Sequence, residues 1–116
     1  MNNAISYIDN NGYAVTNMNG FKVVSDVSDK KDQPTPGNYM VGALLNCAMG
    51  TVLAFLQKRA LPTQGLQIAF DGHFDDRSMK YDDITYHVTL PEDFPEKYVN
   101  AVKRVVGTCA ISKAMP

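Results

Sequence analysis

A proline-free, almost uniformly apolar stretch runs from Tyr39 to about Arg59 in the middle of the chain. Its apolar residues are spread around the whole helical circumference, which is typical of a buried helix and not of an amphipathic surface helix. Asn38 is a side chain suited to capping the start of this helix. Lys58 and Arg59 suit the negative end of the helix dipole, and Pro62 follows as a stop. The sequence therefore predicts one long central helix over residues 39–59.

This helix is predicted to belong to a globular domain and not to cross a membrane. The apolar run is near the lower length limit for a membrane span, polar residues dilute it, and strands are predicted on both sides. Gly42 and Gly50 indicate the close approach of another backbone. A domain of 116 residues buries roughly two thirds of its unfolded surface, which leaves little to cover such a helix all round. We therefore expect a homodimer.

The segment before the helix reads as a meander of short strands. Two turn signals, residues 9–12 and Asn19-Gly20, separate short apolar runs, because asparagine and glycine tolerate the positive φ angles of hairpin turns. The predicted strands cover residues 4–8, 13–16 and 21–24. Residues 25–37 are polar and form a long loop, and loops of this length are often functional or mobile.

The segment after the helix predicts a β-hairpin and a second helix. Alternating apolar residues indicate strands at 66–74 and 84–90, joined by a turn at 75–78. Pro95 and Glu96 suit the first turn of a helix over residues 95–106. Thr108 is placed to cap a short final helix that begins at Cys109. No internal repeat divides the chain, so the prediction is a single α+β domain over residues 1–116.

Composition excludes several classes of function. The net charge is −1 and no basic stripe is present, so we expect no nucleic-acid partner. Neither a glycine-rich phosphate loop nor a nucleophile elbow occurs, so no cofactor is predicted. His73 and His87 fall on neighbouring predicted strands and would face one another in a suitable register. Two histidines and two cysteines without ligand spacing do not predict a metal site.

The chain holds two cysteines, Cys47 in the apolar helix and Cys109 near the end. The first residues show no secretory signal, so we expect a cytoplasmic protein whose thiols are reduced. Packing as a small hydrophobe is the simplest interpretation of Cys47. Cys109 would lie in the first turn of a helix, where free N–H groups stabilise a thiolate, or would be a packed thiol. These residues alone thus make Cys109 the more acidic thiol.

Two segments resemble the OsmC/Ohr family. The run from Pro34 to Cys47 is similar to the family's central helix. That helix starts at a proline, and its first half ends in a signature of small residues and a cysteine. Residues 109–112, Cys-Ala-Ile-Ser, resemble the second signature, usually Cys-Pro-Val or Cys-Pro-Ile. The predicted strands and helix between these two segments occur in the same order as in the family. The resemblance covers nearly the whole chain and implies an OsmC-like fold: an N-terminal β-meander, a long buried central helix, a β-hairpin and C-terminal helices in an intertwined homodimer.

The resemblance implies a thiol-dependent peroxidase. Cys47 would attack an organic hydroperoxide and become a sulfenic acid, and Cys109 would condense with it to a disulfide that a dithiol reductant resets. In the family, an arginine held by a glutamate stabilises the first thiolate. That glutamate is expected immediately after the proline that starts the helix, Pro36. The residue at this position is Gly37. No arginine precedes Arg59. Lys30, Lys31, Arg77 and Arg104 are the candidate substitutes.

Two alternatives follow from these departures. One is a dimer that binds a hydrophobic ligand, or responds to oxidation, without turnover. The other is a structural dimer whose cysteines only pack.

Overall fold

The computed structural model describes residues 4–75, 77–78 and 80–106. These residues contain five β-strands, two α-helices and a short 3-10 helix. They divide into two compact units, residues 1–41 and 42–116, with the boundary inside the central helix.

The first unit is built on a three-stranded antiparallel sheet of β1 (Ala4–Ile8), β2 (Ala14–Met18) and β3 (Phe21–Ser25), in that order. Both predicted turns are present. Gly12 and Gly20 take the positive φ angles, 85° and 88°, that such turns require. The predicted meander is therefore confirmed, with strand ends within one or two residues.

The loop after β3 is ordered around the buried side chain of Asp26. Its carboxylate accepts backbone N–H groups from Ser28, Lys30 and Lys31 at 3.0, 3.1 and 2.7 Å. These hydrogen bonds, that from Lys31 first, hold the pKa of the Asp26 carboxyl below its ordinary value. The long polar loop predicted from the sequence is therefore folded around the Asp26 carboxylate.

The central helix, α1, covers Pro36–Lys58. It begins earlier than predicted, and Asn38 is not its cap. Thr35 is the cap: its hydroxyl accepts the Asn38 N–H at 3.1 Å, while the Asn38 side-chain oxygen accepts the Thr35 N–H at 3.0 Å. This reciprocal pair is a capping box, with Pro36 at the first helical position.

The other end of α1 is closed by two backbone hydrogen bonds. The Leu61 N–H donates to the Leu56 carbonyl at 3.0 Å and the Ala60 N–H to the Gln57 carbonyl at 3.2 Å. This is the Schellman pattern, and Ala60 takes the left-handed φ, 52°, that it requires. Leu61 packs on the core that contains Leu56.

In the second unit, β4 (Gln67–Asp75) and β5 (Lys80–Thr89) form an antiparallel hairpin. β5 begins four residues earlier than predicted. The register shifts between Asp71 and His73, so a bulge interrupts the alternation that marks a strand in sequence. The half-buried side chains Ile68, Phe70, Tyr86 and Val88 share one face.

The second predicted helix is confirmed in two parts, a 3-10 turn at Glu96–Tyr98 and α2 at Val99–Val106. α2 packs against α1 and the hairpin. The buried core of this unit consists of Ala48, Val52, Leu56, Val102 and Val106. Partly buried side chains from both hairpin strands surround it.

The sequence predicted that α1 is buried on all sides, but its buried residues lie along one stripe only. Of its 23 residues, the buried ones are Leu44, Ala48, Val52 and Leu56, which recur every four residues. Within the described chain, a Cβ added at Gly42 or Gly50 would meet nothing within 4 Å, so no backbone approaches them closely. Among residues 4–75, 77–78 and 80–106, little therefore covers the rest of this apolar helix.

Among the described residues, α1 is the one helix long and apolar enough to span a bilayer, with 22% of its most apolar window buried. Length and composition alone are weak evidence, since the core helices of soluble proteins pass the same test.

Candidate functional site

Cys47 lies on the wall of an open groove of about 700 Å³ in the second unit. The sequence alone favoured a packed thiol, but the side chain is only half-buried. The groove follows one face of α1, because its lining residues recur at helical spacing. They are Asn46, Cys47, Gly50, Thr51, Ala54, Phe55, Lys58 and Arg59, with Val105 contributed by α2.

The groove is shaped by small residues near the thiol and by cations at its far end. Gly50 and Ala54 are small, exposed residues of the groove wall, one and two turns after Cys47. Thr51 is turned back on the helix, with its hydroxyl donating to the Cys47 carbonyl at 2.9 Å. The groove is thus wide and weakly polar where a substrate would meet the sulfur.

Two cations line the same groove as Cys47, Lys58 at the end of α1 and Arg59 just after it. The Lys58 backbone lies eleven residues after that of Cys47, an axial rise of about 16 Å along the helix. The Arg59 side chain reaches back along the helix: its Nη1 donates to the Phe55 carbonyl at 3.1 Å and its Cζ lies 3.8 Å from the centroid of the Phe55 ring. Its charge is therefore held beside Phe55, eight residues after Cys47, which is an axial separation of about 12 Å.

A second hollow of about 320 Å³ adjoins the groove and shares Phe55, Arg59 and Val105 with it. Its remaining walls are Tyr98, Ala101 and Arg104. The rings of Phe55 and Tyr98 meet edge to face with centroids 6.3 Å apart. The two hollows therefore share part of their walls. The sequence did not predict this arrangement, because Phe55 and Tyr98 are 43 residues apart and meet only in the folded chain.

Cys109, the predicted resolving thiol, lies outside the described residues. Gly37, where the family's glutamate is expected, occupies the first turn of α1. The candidate substitutes have other contacts. The Lys30 ammonium donates to the Asn11 carbonyl and lies 4.9 Å from the Tyr13 ring centroid. Arg77 is exposed in the turn between β4 and β5, where its backbone N–H donates to the Asp75 carboxylate at 3.0 Å.

His73 and His87 do not face one another. The strand register pairs His73 with Asp82 and His87 with Ala69. His73 Nδ1 lies 3.3 Å from the Asp82 carboxylate, and His87 Nε2 lies 3.0 Å from that of Asp71. Both histidines are exposed, and the described residues contain no group of three or more metal-ligating side chains.

Comparison with known proteins places this geometry in a family. The family model of OsmC-like proteins matches residues 28–116. No curated protein sequence matches the chain.

Two crystal structures share the fold. One is a candidate osmotic stress induced and detoxification response protein from Psychrobacter arcticus 273-4, with a TM-score of 0.83 and 10% identity over 100% of this chain and 89% of that one. The other is an OsmC-like protein from Mycoplasma pneumoniae, with a TM-score of 0.79 and 13% identity over 96% of this chain and 84% of that one. At these identities the likeness shows the fold alone. The matched family model, covering more than three quarters of the sequence, shows that the chain belongs to the OsmC-like family.

Proposed function

We propose that this protein is a thiol-dependent peroxidase that reduces organic hydroperoxides, with Cys47 as the attacking thiol and Cys109 as the resolving thiol. Membership of the OsmC-like family suggests a stress-related or peroxide-related function. The observation that carries the finer assignment is the position of Cys47, half-buried on the wall of an open groove. A thiol in this position can meet a bulky organic substrate, which a fully packed thiol cannot.

The proposed reaction balances in three steps. The Cys47 thiolate attacks the terminal oxygen of the hydroperoxide, the O–O bond breaks, and the alkoxide takes a proton to leave as an alcohol. Cys47 is then a sulfenic acid. The Cys109 thiol attacks that sulfur, forms a disulfide and releases water. A dithiol reductant returns both thiols by disulfide exchange and is itself oxidised to a disulfide.

A homodimer is part of this proposal. The described part of the chain leaves an apolar surface of α1 without cover, since the buried residues of α1 form a single stripe. A second copy would cover that surface. A reactive thiol also requires a positive group nearby, and Arg59 of the same chain is held beside Phe55.

A second candidate is a dimer that binds a hydrophobic ligand in the groove without turnover. The distance from Cys47 to Lys58 and Arg59 favours it, as does Gly37 in place of the family glutamate. The two candidates differ in one measurable property, the reactivity of Cys47 toward peroxide.

The deciding experiment follows alkylation of Cys47 in the Cys109→Ser variant, with and without prior tert-butyl hydroperoxide, across a range of pH. The peroxidase assignment predicts faster alkylation at neutral pH than an unactivated cysteine shows, and its loss after peroxide treatment. The wild type should also consume the peroxide with a dithiol reductant, and Cys47→Ser should abolish this consumption. Slow alkylation that peroxide does not block would overturn the peroxidase assignment in favour of the ligand-binding dimer.

A further inference from the structure

Two turns of the first sheet carry the same reactive dipeptide, an asparagine followed by a glycine, at residues 11–12 and 19–20. We propose that Asn19 is a site of spontaneous deamidation and that the fold protects Asn11 from the same reaction. The only other reactant is water, so the modification requires no enzyme. This inference is independent of the function proposed for Cys47.

The reaction proceeds in two balanced steps. The backbone nitrogen of Gly20 attacks the side-chain carbonyl carbon of Asn19, the bond from that carbon to the amide nitrogen breaks, and ammonia leaves with the proton that Gly20 gives up. The product is a cyclic succinimide. Water then opens one of its two carbonyl groups and gives aspartate or isoaspartate. Glycine is the most favourable residue to follow the asparagine, because it has no Cβ to obstruct the attack.

The turn at Asn19 leaves both reacting groups free. Within the part of the chain that the structure describes, neither the Gly20 N–H nor the Asn19 side chain forms a hydrogen bond. Both residues are exposed. A Cβ built at Gly20 would meet nothing within 4 Å, so water has free access to this site.

The same turn is weakly held by its neighbours. It contains only two residues, because Met18 pairs with Phe21 across it. These flanking side chains are 40% and 74% exposed, so little packing opposes local opening of the turn. Such opening lets the Gly20 nitrogen approach the Asn19 side chain to the distance of about 3–3.5 Å from which attack proceeds.

The turn at Asn11 is closed by contacts that the other turn lacks. The peptide group between Asn11 and Gly12 is bonded at both ends. Its N–H, which would be the nucleophile, donates to the Asp9 carbonyl at 3.1 Å, and its carbonyl accepts a hydrogen bond from the Lys30 ammonium. The Asp9 carboxylate also accepts the N–H groups of Asn11 and Tyr13 at 2.9 and 3.0 Å. Attack at Asn11 therefore requires several of these bonds to break.

The two products at Asn19 differ in their effect on the hairpin. Aspartate tolerates the left-handed φ of 52° that Asn19 adopts, so it should leave the turn intact. Isoaspartate routes the backbone through the side-chain carbon and lengthens a turn of two residues by one atom. We therefore expect the isoaspartate form to weaken the pairing of Met18 with Phe21. Either product adds one negative charge to a chain whose net charge is −1.

The first test compares the two asparagines within one sample. The folded wild type is incubated at mildly alkaline pH, and peptide mapping by mass spectrometry follows deamidation at each site. Asn11 should react about tenfold more slowly than Asn19, as the loss of one or two hydrogen bonds allows. The chain unfolded in guanidinium chloride is the reference, and there the two rates should become similar.

Three results of this experiment would overturn the proposal. One is an Asn11 rate equal to or above that of Asn19 in the folded protein. The second is an Asn19 that stays intact while the unfolded chain reacts. The third is a difference between the two sites that persists in guanidinium chloride, because the fold would then not be its cause.

The second test removes the protection of Asn11. Asp9→Ala deletes the carboxylate that holds the turn and should raise the Asn11 rate severalfold, while the Asn19 rate stays at its wild-type value. Asp29→Ala deletes an exposed carboxylate of the same unit and should change neither rate. Because Asp9→Ala carries a risk to folding, Lys30→Met is the second variant, and it should also raise the rate at Asn11 alone. An Asn11 rate that neither Asp9→Ala nor Lys30→Met changes would overturn the assigned protection.

Discussion

Thr35 and Asn38 exchange two hydrogen bonds across the first turn of α1, each side chain accepting the backbone N–H of the other, at 3.1 and 3.0 Å. The pair satisfies two of the N–H groups that a helix start leaves without partners. It therefore fixes where the helix that carries Cys47 begins.

Thr35→Ala should lower the free energy of unfolding by about 1 kcal/mol, because the Asn38 N–H loses its side-chain acceptor. Urea denaturation followed by far-UV circular dichroism measures the change. Thr35→Ser keeps the hydroxyl and should recover most of the loss, and Gln33→Ala, an exposed change in the same loop, should have little effect. An unfolding midpoint that is identical in Thr35→Ala and wild type would contradict the capping role.

Ala60→Gly should stabilise the protein by about 1 kcal/mol. Ala60 holds a left-handed φ of 52° at the end of α1, a conformation that costs an L-residue energy and glycine almost none. Thermal unfolding would detect a higher midpoint. The matched control, Ala54→Gly, makes the same chemical change in the middle of α1 and should destabilise instead. A loss of stability in both variants would contradict the assigned helix end.

Asp26→Asn should remove an acid-sensitive part of the stability. The native pKa of this carboxyl is lowered by the N–H groups of Lys31, Lys30 and Ser28, the largest contribution first. Its stabilisation is therefore complete above the unfolded pKa of about 3.9 and is lost as pH falls through the lower native value. The wild type should exceed the variant in stability at neutral pH, and the gap should narrow toward pH 2.

Asp29→Asn is the control for this pH dependence, since it changes an exposed carboxyl in the same loop. It should reproduce the wild-type profile. A gap between wild type and Asp26→Asn that is constant from pH 7 to strongly acidic conditions would show that the carboxylate charge is not what orders the loop.

Light scattering should give twice the chain mass of 12.8 kDa at micromolar concentration. Leu45, Met49 and Leu53 are half-buried on α1 and lie outside the core cluster, so we expect a second copy to cover them. Leu53→Asp should shift the protein toward monomer while its helical signal persists. Gln57→Glu, an exposed change on the same helix, should remain dimeric. A monomeric wild type would refute the dimer.

The sequence predicted the order of elements because each boundary has a local cause. Asn-Gly and Asp-Asn-Asn-Gly turns mark the meander, and Pro95 marks the second helix. The start of α1 was placed three residues late, because Asn38 resembles a cap when read alone. Its role as partner of Thr35 depends on a reciprocal geometry that a single residue does not reveal. β5 was placed late because a bulge breaks its alternation.

The site was less predictable than the fold. Cys47 stood out because a thiol in an apolar helix is chemically distinctive, but its exposure depends on the small residues Gly50 and Ala54 one and two turns away. Arg59 and Arg104 line the same hollow because α2 packs against α1, a tertiary contact with no local signal. Whether the two histidines face one another depended on the hairpin register, which the sequence left open, and each lies beside an aspartate instead.

The placement of Cys47 and Phe55 on one continuous helix has a consequence for how the groove would change in evolution. A helix has no hinge between these residues, so their separation is set by residue count and not by loop movement. Inserting one residue between them would turn Phe55 by about 100° around the axis and advance it by about 1.5 Å. Such an insertion would not lengthen the groove slightly; it would move Phe55 off the face that the two residues share. The dimensions of the groove are therefore expected to change through the side chains along it and not through insertions or deletions.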